Sequence, residues 1–591
     1  MKKSIIRSLK DFIGAGMLRM TALAACGSAT TAGWAETVNA VWNTAADVPI
    51  TASNYMAAGN TVNFTLNFAP PTGTELMVVK NTALGFIGGA FANLAPGQPV
   101  ALSYGGIIYH FVANYYGGSG NDLVLVWADN RTFTWGENAS GMPAAVNTDS
   151  GVSALYGKTV VAIAAGEGQS LALCSDGTVA TWGTVPIAVN TNYGVSALYG
   201  KRVVAIAMGG LHSLALCSDG TVAAWGNNTC GQLGDNQASG SYSAMPVAVN
   251  TSAGVSALHG KTVVAIAGGD VQSLALCSDG TLASWGLNNY GELGDNTTTQ
   301  RLVPVAVNST SGVSALYGKT VVAISVGFLH SVALCSDGTV IAWGDNRWGQ
   351  LGDGQASGTY SPVPVAVNTA WYSALHGKKV IAIAAGYGHD LALCSDGTLA
   401  AWGYNYKGEL GDGNADILKP SYGQTVPVLV NTASGTSALY GKTVVAIAAG
   451  DEYSSALCSD GTMAAWGDNF YGQLGDNQAS GTQSLVPVAV NTTPLPVGQF
   501  FVHAVTGSMA DHMLALVAVP AVPLLQVQQN AGMMTLQWDA NFLGFVPQAN
   551  FSVANLDGWA DLTNTPVLGG PNCSLTFPTT NAACFFRLRS P

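Results

Sequence analysis

Charge is the scarcest feature of this chain. Only 9% of its 591 residues are Asp, Glu, Lys or Arg, and the formal charge is −12. No basic run occurs, so the electrostatic footprint that phosphate backbones require is missing and nucleic acid is not expected as a partner. Beyond the N-terminal region no apolar run approaches the ~18 residues of a membrane-crossing helix, so no transmembrane segment is expected. There is no Cys-x-x-Cys pair, Gly-x-Ser-x-Gly elbow, P-loop or His-Glu-x-x-His. The motif signatures of cysteine-pair zinc sites, nucleophile-elbow hydrolases, P-loop nucleotide binding and zincin-type proteolysis are therefore missing. The expectation is a non-enzymatic protein with no cofactor and no metal, acting as a monomer.

What the chain has in abundance is repetition. Leu-Cys-Ser-Asp-Gly-Thr begins at Leu173, Leu216, Leu276, Leu334, Leu393 and Leu457, at spacings of 43, 60, 58, 59 and 64 residues. A period of this size marks a supersecondary unit that buries its apolar face only against its neighbours. Each unit reads as four strands. Val-Val-Ala-Ile-Ala is continuously apolar, as a strand buried on both faces is. Ser-Leu-Ala-Leu-Cys follows, and Asp-Gly supplies a two-residue hairpin turn. Thr-Val-Ala-Ala-Trp-Gly and Pro-Val-Ala-Val-Asn complete the unit.

The ends of the array are incomplete in complementary ways. It opens with Thr132-Phe-Thr-Trp135-Gly and Pro143-Ala-Ala-Val-Asn147, and closes with Phe501-Val-His-Ala-Val and His512-Met-Leu-Ala-Leu516. The economical arrangement is an all-β, seven-bladed β-propeller whose seventh blade takes two strands from each end, which leaves no open stack edge. Gly209 to Gly234 run Gly-Gly-Leu-His-Ser-Leu-Ala-Leu-Cys-Ser-Asp-Gly-Thr-Val-Ala-Ala-Trp-Gly-Asn-Asn-Thr-Cys-Gly-Gln-Leu-Gly. This segment resembles the regulator of chromosome condensation repeat family, whose fold is a seven-bladed propeller. The resemblance covers about 390 of the 591 residues. It implies binding rather than chemistry: the family includes exchange factors for a small GTPase and secreted bacterial propellers that inhibit enzymes.

Around residues 131–519 the chain divides simply. Lys2, Lys3, Arg7 and Lys10 precede an apolar stretch, an export-signal pattern over residues 1–35. Cleavage after Ala35 competes with a lipobox ending in Cys26, where a lipid anchor would attach. Residues 36–130 carry alternating strands such as Val62–Phe68. The stretch Gly85–Trp127 resembles β-rich segments of exported bacterial repeat proteins. Residues 520–591 read as a linker and a small β-sandwich-like module, with strands at Met534–Trp538, Phe551–Ala554 and Phe585–Leu588, and with Cys573 and Cys584 as a possible pair. Localisation is expected to be secreted or cell-surface.

Repeated polar residues have structural explanations. Cys174, Cys217, Cys277, Cys335, Cys394 and Cys458 share one strand slot and suit buried thiols. His212, His330, His389 and His512 share another, filled elsewhere by Gln169, Gln272 and Tyr453, and suit a bond to backbone at a turn. The Asp-Gly aspartates build turns. Function is sought instead where the copies disagree. The residues after Val-Val-Ala-Ile-Ala-Ala-Gly vary, and Glu167, Leu211, Asp270, Phe328, Tyr387, Glu452 and Tyr453 form a candidate face for a protein partner at the extracellular surface. A second variable set, after Trp-Gly-x-Asn, contains Tyr290, Trp348, Tyr406, Phe470 and Tyr471, expected to pack under their own loops. Rigidly presented aromatics favour protein binding. Glycan binding or adhesion through the flanking modules is the alternative, with exchange-factor-like activity implied only by the resemblance.

Overall fold

The computed structural model describes residues 35–137, 141–237, 240–355, 358–415, 423–478, 481–530, 533–539, 545–550, 559–563, 565–569, 572–578 and 584–589. The export-signal pattern, including Cys26, and the strand expected at Phe551–Ala554 lie outside these residues. Among the described residues there is no helix, and none long and apolar enough to cross a membrane.

One repeat illustrates the rest. Val203–Met208, His212–Cys217, Val222–Asn228 and Ser241–Ala248 form an antiparallel sheet in sequence order. Six consecutive repeats make such sheets. A further four-stranded sheet joins the ends of the array in the order Phe500–Val505, His512–Ala518, Asn130–Gly136, Ala144–Ala145. His512 pairs with Gly136 and Ala518 with Asn130 in that sheet. The second strand of each repeat is buried along its length, as in His212–Cys217, except at Gln169, which opens the first of them and is exposed. The first is not: Ala205, Ile206 and Ala207 are half-buried, because this strand is the last of its sheet and has a neighbour on one side only.

The sheets are held together in two recurrent ways. First, the indole Nε1 of five of the Trp-Gly tryptophans donates to a backbone carbonyl of the preceding sheet. Trp285 donates to Gln232 O (2.9 Å), Trp343 to Glu292 O (2.9 Å), Trp402 to Gln350 O (3.0 Å) and Trp466 to Glu409 O (2.8 Å). Trp135 makes the same bond to Gln473 O (3.0 Å), linking the start of the array to its end. Second, the histidine slot reaches the next sheet rather than its own turn. His212 Nε2 lies 2.9 Å from Ser273 Oγ, His389 Nε2 2.9 Å from Ser454 Oγ and His512 Nε2 2.9 Å from Ser170 Oγ, while His330 faces Asp390 at 3.1 Å. Burial depresses the His212 and His512 pKa values to about 4, so these rings are neutral packing elements.

Close approach at the loop ends of the first strands explains the glycine closing them. A Cβ on Gly327 would meet His330 Cε1 at 2.1 Å and Gly386 O at 2.6 Å, and one on Gly269 would meet Gly327 O at 2.4 Å. The six repeat cysteines are free and buried, and burial pushes the Cys174 and Cys217 thiols up to about 11. Cys573 and Cys584 are also free.

Each sheet has a turn end, carrying the Asp-Gly hairpins, and a loop end opposite. At the turn end every Asp-Gly aspartate is paired with the lysine 18 residues before it, as in Lys201–Asp219 (2.8 Å) and Lys319–Asp337 (2.6 Å). The flanking modules attach here as well. In the N-terminal one, Thr37–Trp42 pairs in parallel with Thr61–Leu66, stacking Asn63 on Asn39 (3.2 Å) and Thr61 on Thr37 (2.9 Å). Its Phe86 and Tyr116 rings meet edge-on at 5.2 Å and pack beside Val204 and neighbouring core residues. The second position of each first strand records this cover. Val204 and Val264 are 8% and 9% exposed, whereas Val322, Ile381 and Val445 are 38%, 52% and 51% exposed. The C-terminal module joins nearby through Asn572 Oδ1, which accepts from Val497 N at 3.0 Å.

The indole bonds make a direct prediction. Trp402→Phe removes the indole donor to Gln350 O, where Asp390 replaces the serine that elsewhere donates to the equivalent carbonyl, and should lower the unfolding free energy by about 1–3 kcal/mol in chemical denaturation. Trp371→Phe, at an 81% exposed position, should change it by less than about 0.5 kcal/mol.

Candidate functional site

The short loops joining first and second strands converge. Glu167 N donates to Gly210 O (2.9 Å), Gly210 N to Gly269 O (3.1 Å), Phe328 N to Tyr387 O (3.2 Å), Tyr387 N to Gly450 O (3.1 Å) and Asp451 N to Ala510 O (3.2 Å). Loops from successive sheets are therefore stitched to one another at the loop end. Backbone bonding of this kind fixes the side chains they carry on a rigid base.

One side of this face is aromatic. Phe328 stacks on Tyr387 with ring centroids 4.7 Å apart. Trp348 lies 5.3 Å from Tyr387 and 5.1 Å from Tyr404, and Tyr404 stacks on Tyr406 at 6.3 Å. Trp348 thus packs across sheets instead of under its own loop, and Gly388 permits this: a Cβ there would stand 2.5 Å from the Trp348 ring. The Arg347 guanidinium sits over Tyr290 at 4.7 Å and over Trp348 at 5.0 Å, while its Nε donates to Asp345 (2.9 Å). Phe470 and Tyr471 form a separate exposed pair at 4.9 Å.

The other side is acidic. Burial, then the charges of Asp511, Glu452, Asp468 and Glu167, push the Asp451 carboxyl up to about 8. Burial and the charges of Glu137, Asp468, Glu452 and Glu167 raise Asp511 to about 7. Asp270 rises to about 6 through burial and Glu167. Glu452 joins the two sides, since it shares a hydrogen bond with Tyr404 and its carboxyl is raised by burial and Asp468. Its φ of 55° lies in the left-handed region, where every other described non-glycine residue is Asn. Strain at such a position costs of order 1–2 kcal/mol and persists where surrounding contacts enforce it.

Of the candidate residues, Glu167 and Leu211 are exposed and Asp270, Phe328, Tyr387 and Glu452 half-buried at this face. Tyr453 is corrected. Its side chain is fully buried and its hydroxyl donates to Thr506 Oγ1 (2.7 Å) or His512 O (2.9 Å), so it fills the inter-sheet slot and offers no surface. Sequence reasoning missed Arg347, Tyr404 and Asp511. Tyr404 and Arg347 were within reach, since each occupies a slot that varies among copies; Asp511 sits in the degenerate last unit, where alignment by eye loses register. Among the described residues no group of three or more His, Cys, Asp or Glu could hold a metal ion.

A family model described as RCC1-like domain matches residues 112–438, more than half of the chain. The chain belongs to the RCC1-like domain family. A Regulator of chromosome condensation (RCC1) repeat model matches residues 444–473 of this RCC1-like protein. Relatives include the Ultraviolet-B receptor UVR8 of Arabidopsis thaliana, 33% identical over 235 residues, which are 39% of this chain and 47% of UVR8. The E3 ubiquitin-protein ligase HERC2 of Homo sapiens is 32% identical over 232 residues, 39% of this chain and 4% of HERC2. The chain thus spans less than half the length of either relative. Among solved structures, Prp20p from Saccharomyces cerevisiae superimposes with a TM-score of 0.53 at 20% identity, covering 66% of this chain and 92% of Prp20p. That likeness shows a β-propeller fold.

The raised carboxyls predict an unusual pH profile. A carboxyl whose folded pKa lies above its unfolded value near 3.8 contributes stability that is complete below about pH 4 and is lost as pH rises through the folded value. For Asp270, Asp511 and Asp451 the loss spans pH 4 to 8. Turn-end aspartates such as Asp279, lowered to about 2 by hydrogen bonds from Lys261 and Thr281 that outweigh burial, act in the opposite sense and lose stability below about pH 4. Thermal unfolding midpoints should peak near pH 4–5 and decline toward pH 8. Asp451→Asn should flatten the alkaline side of that curve.

Proposed function

We propose that this RCC1-like protein is a non-enzymatic binding protein, a closed seven-bladed ring that presents its loop end to another protein. The observation that carries the reading is the single aromatic–acidic surface formed by Phe328, Tyr387, Trp348, Tyr404 and Glu452, contributed by successive sheets. Rigid aromatic anchors on stitched loops lose little side-chain entropy on binding, and such residues dominate interface energetics. The other end is less available: its aspartates are already paired with lysines, and its first sheets lie beneath the N-terminal module.

The fold and the family give further support. The yeast protein Prp20p is described with binding to Gsp1p and histones, so a propeller of this kind works by contact with other proteins. We place the protein outside the cytoplasm, secreted or on the cell surface, on the strength of its basic and apolar N-terminal pattern.

Captured partner and variant chains test the site. Phe328→Asp and Tyr387→Ala should each weaken partner binding by at least about tenfold, which corresponds to about 1.4 kcal/mol. Tyr317→Ala, at an exposed position on the turn end, should leave it unchanged. Equal capture by all three variants would remove the loop end from consideration. N-terminal sequencing of the extracellular protein should start at Glu36.

A further inference from the structure

The loop-end surface states what its occupant must look like. Among the described residues its carboxylates outnumber its cations, and the cations beside the rings are already engaged: Arg347 with Asp345 (2.9 Å) and Lys407 with Asp468 (3.1 Å). Beneath them Glu409 is fully buried, coupled by charge to Glu452 and Asp468. Its Oε2 accepts from Lys407 N at 2.9 Å, whereas Oε1 has no hydrogen-bond partner. On the acidic side Asp451, Glu452, Asp468, Asp511 and the buried Glu409 thus surround one described cation, Lys407, which is already paired with Asp468.

The aromatic side records the matching preference independently. The chain's own guanidinium, Arg347, lies over two of the rings, and Lys407 stands 6.0 Å from the Tyr406 ring. Planar guanidinium groups stack on aromatic faces and at the same time pair with carboxylates, a combination an ammonium group satisfies less well. On this surface the two demands meet at one place. Tyr387 stacks on Phe328 while feeling the charges of Asp451 and Glu452, and Tyr404 hydrogen-bonds Glu452.

We propose that the loop end receives an arginine-bearing segment of a partner protein, with a guanidinium held between the Phe328–Tyr387–Tyr404 rings and the Asp451–Glu452–Asp511 carboxylates. The proposal rests on the reading of the loop end as the partner surface and adds the chemistry of what docks there. A neutral or acidic segment would bury those carboxylates without compensation, which is the costly case.

The test uses the full chain and four short fluorescent peptides of equal length: Arg-Gly repeats, Lys-Gly repeats, Glu-Gly repeats and a neutral Tyr-Ser sequence. Anisotropy titrations should rank the Arg peptide first, the Lys peptide several-fold weaker, and the Glu peptide without measurable binding. Titrations run at pH 9, above the values of about 8 for Asp451 and about 7 for Asp511, keep both groups ionised, and because the whole chain is acidic two charge-matched variants separate the site from bulk attraction. Asp451→Asn/Asp511→Asn should weaken the Arg peptide at least tenfold, whereas Asp337→Asn/Asp396→Asn, which removes the same two charges from the turn end, should change it less than twofold. Tyr387→Ala should narrow the preference for Arg over Lys. Equal losses in the two double variants would overturn the proposal, leaving only non-specific attraction. Preferential binding of the neutral peptide, abolished by Tyr387→Ala, would also overturn it while preserving the loop end as the partner surface. Arg-peptide binding untouched by every loop-end variant would overturn both readings.

Discussion

The architecture depends on one hydrogen bond repeated around the array: an indole N–H given to a backbone carbonyl of the preceding sheet. It recurs at Trp135, Trp285, Trp343, Trp402 and Trp466 with nearly constant length. A four-stranded sheet of small apolar residues has no directional means of choosing its neighbour, because burial of alanine, valine and leucine is satisfied at many offsets. The indole supplies the direction. It is large enough to fill the space between sheets and has a single donor that must be matched once buried. The carbonyl it chooses belongs to Gln or Glu of the Gly-Gln/Glu-Leu-Gly loop, so packing between sheets also positions the loops on which the proposed partner surface stands.

This division explains how much was legible in the sequence. The strands were, because Val-Val-Ala-Ile-Ala and Ser-Leu-Ala-Leu-Cys repeat with fixed spacing. The mixed sheet was too, since Trp135 and His512 each lack the strands the other end supplies. The convergence of Phe328 and Tyr387 followed from their common slot. What could not be read was the reach of side chains between sheets. His212 looked like a residue serving its own turn and instead meets Ser273. Tyr453 occupies the same slot, and its length carries its hydroxyl into the core, so position in the repeat was a poor guide to its exposure. The pairing of each Asp-Gly aspartate with a lysine 18 residues earlier was visible as a period but had no meaning until the turns stood side by side. The parallel Asn and Thr stacks of the N-terminal module were hidden for the same reason, since a 24-residue offset occurs there only once.

The two ends of the sheets have opposite electrostatic characters although the units are nearly identical. At the turn end, lysine and aspartate come from conserved parts of the unit, so each copy neutralises itself. At the loop end the charges come from variable positions, and nothing in the unit balances them. Glu167, Asp270, Asp451, Glu452 and Asp511 accumulate from separate sheets on the side where the loops are stitched together. Burial and neighbouring charge raise the carboxyls of Asp270, Asp451, Glu452 and Asp511, and the strained backbone at Glu452 adds to the cost. On the proposed reading these unfavourable terms are relieved when a partner binds.

Hydrogen–deuterium exchange of the full chain, with and without the Arg-Gly peptide, tests this account most directly. The account predicts added protection in the loops around residues 385–389 and 449–453, with the Asp-Gly turns and both flanking modules unchanged. Protection confined to the turns or to the flanking modules would contradict it.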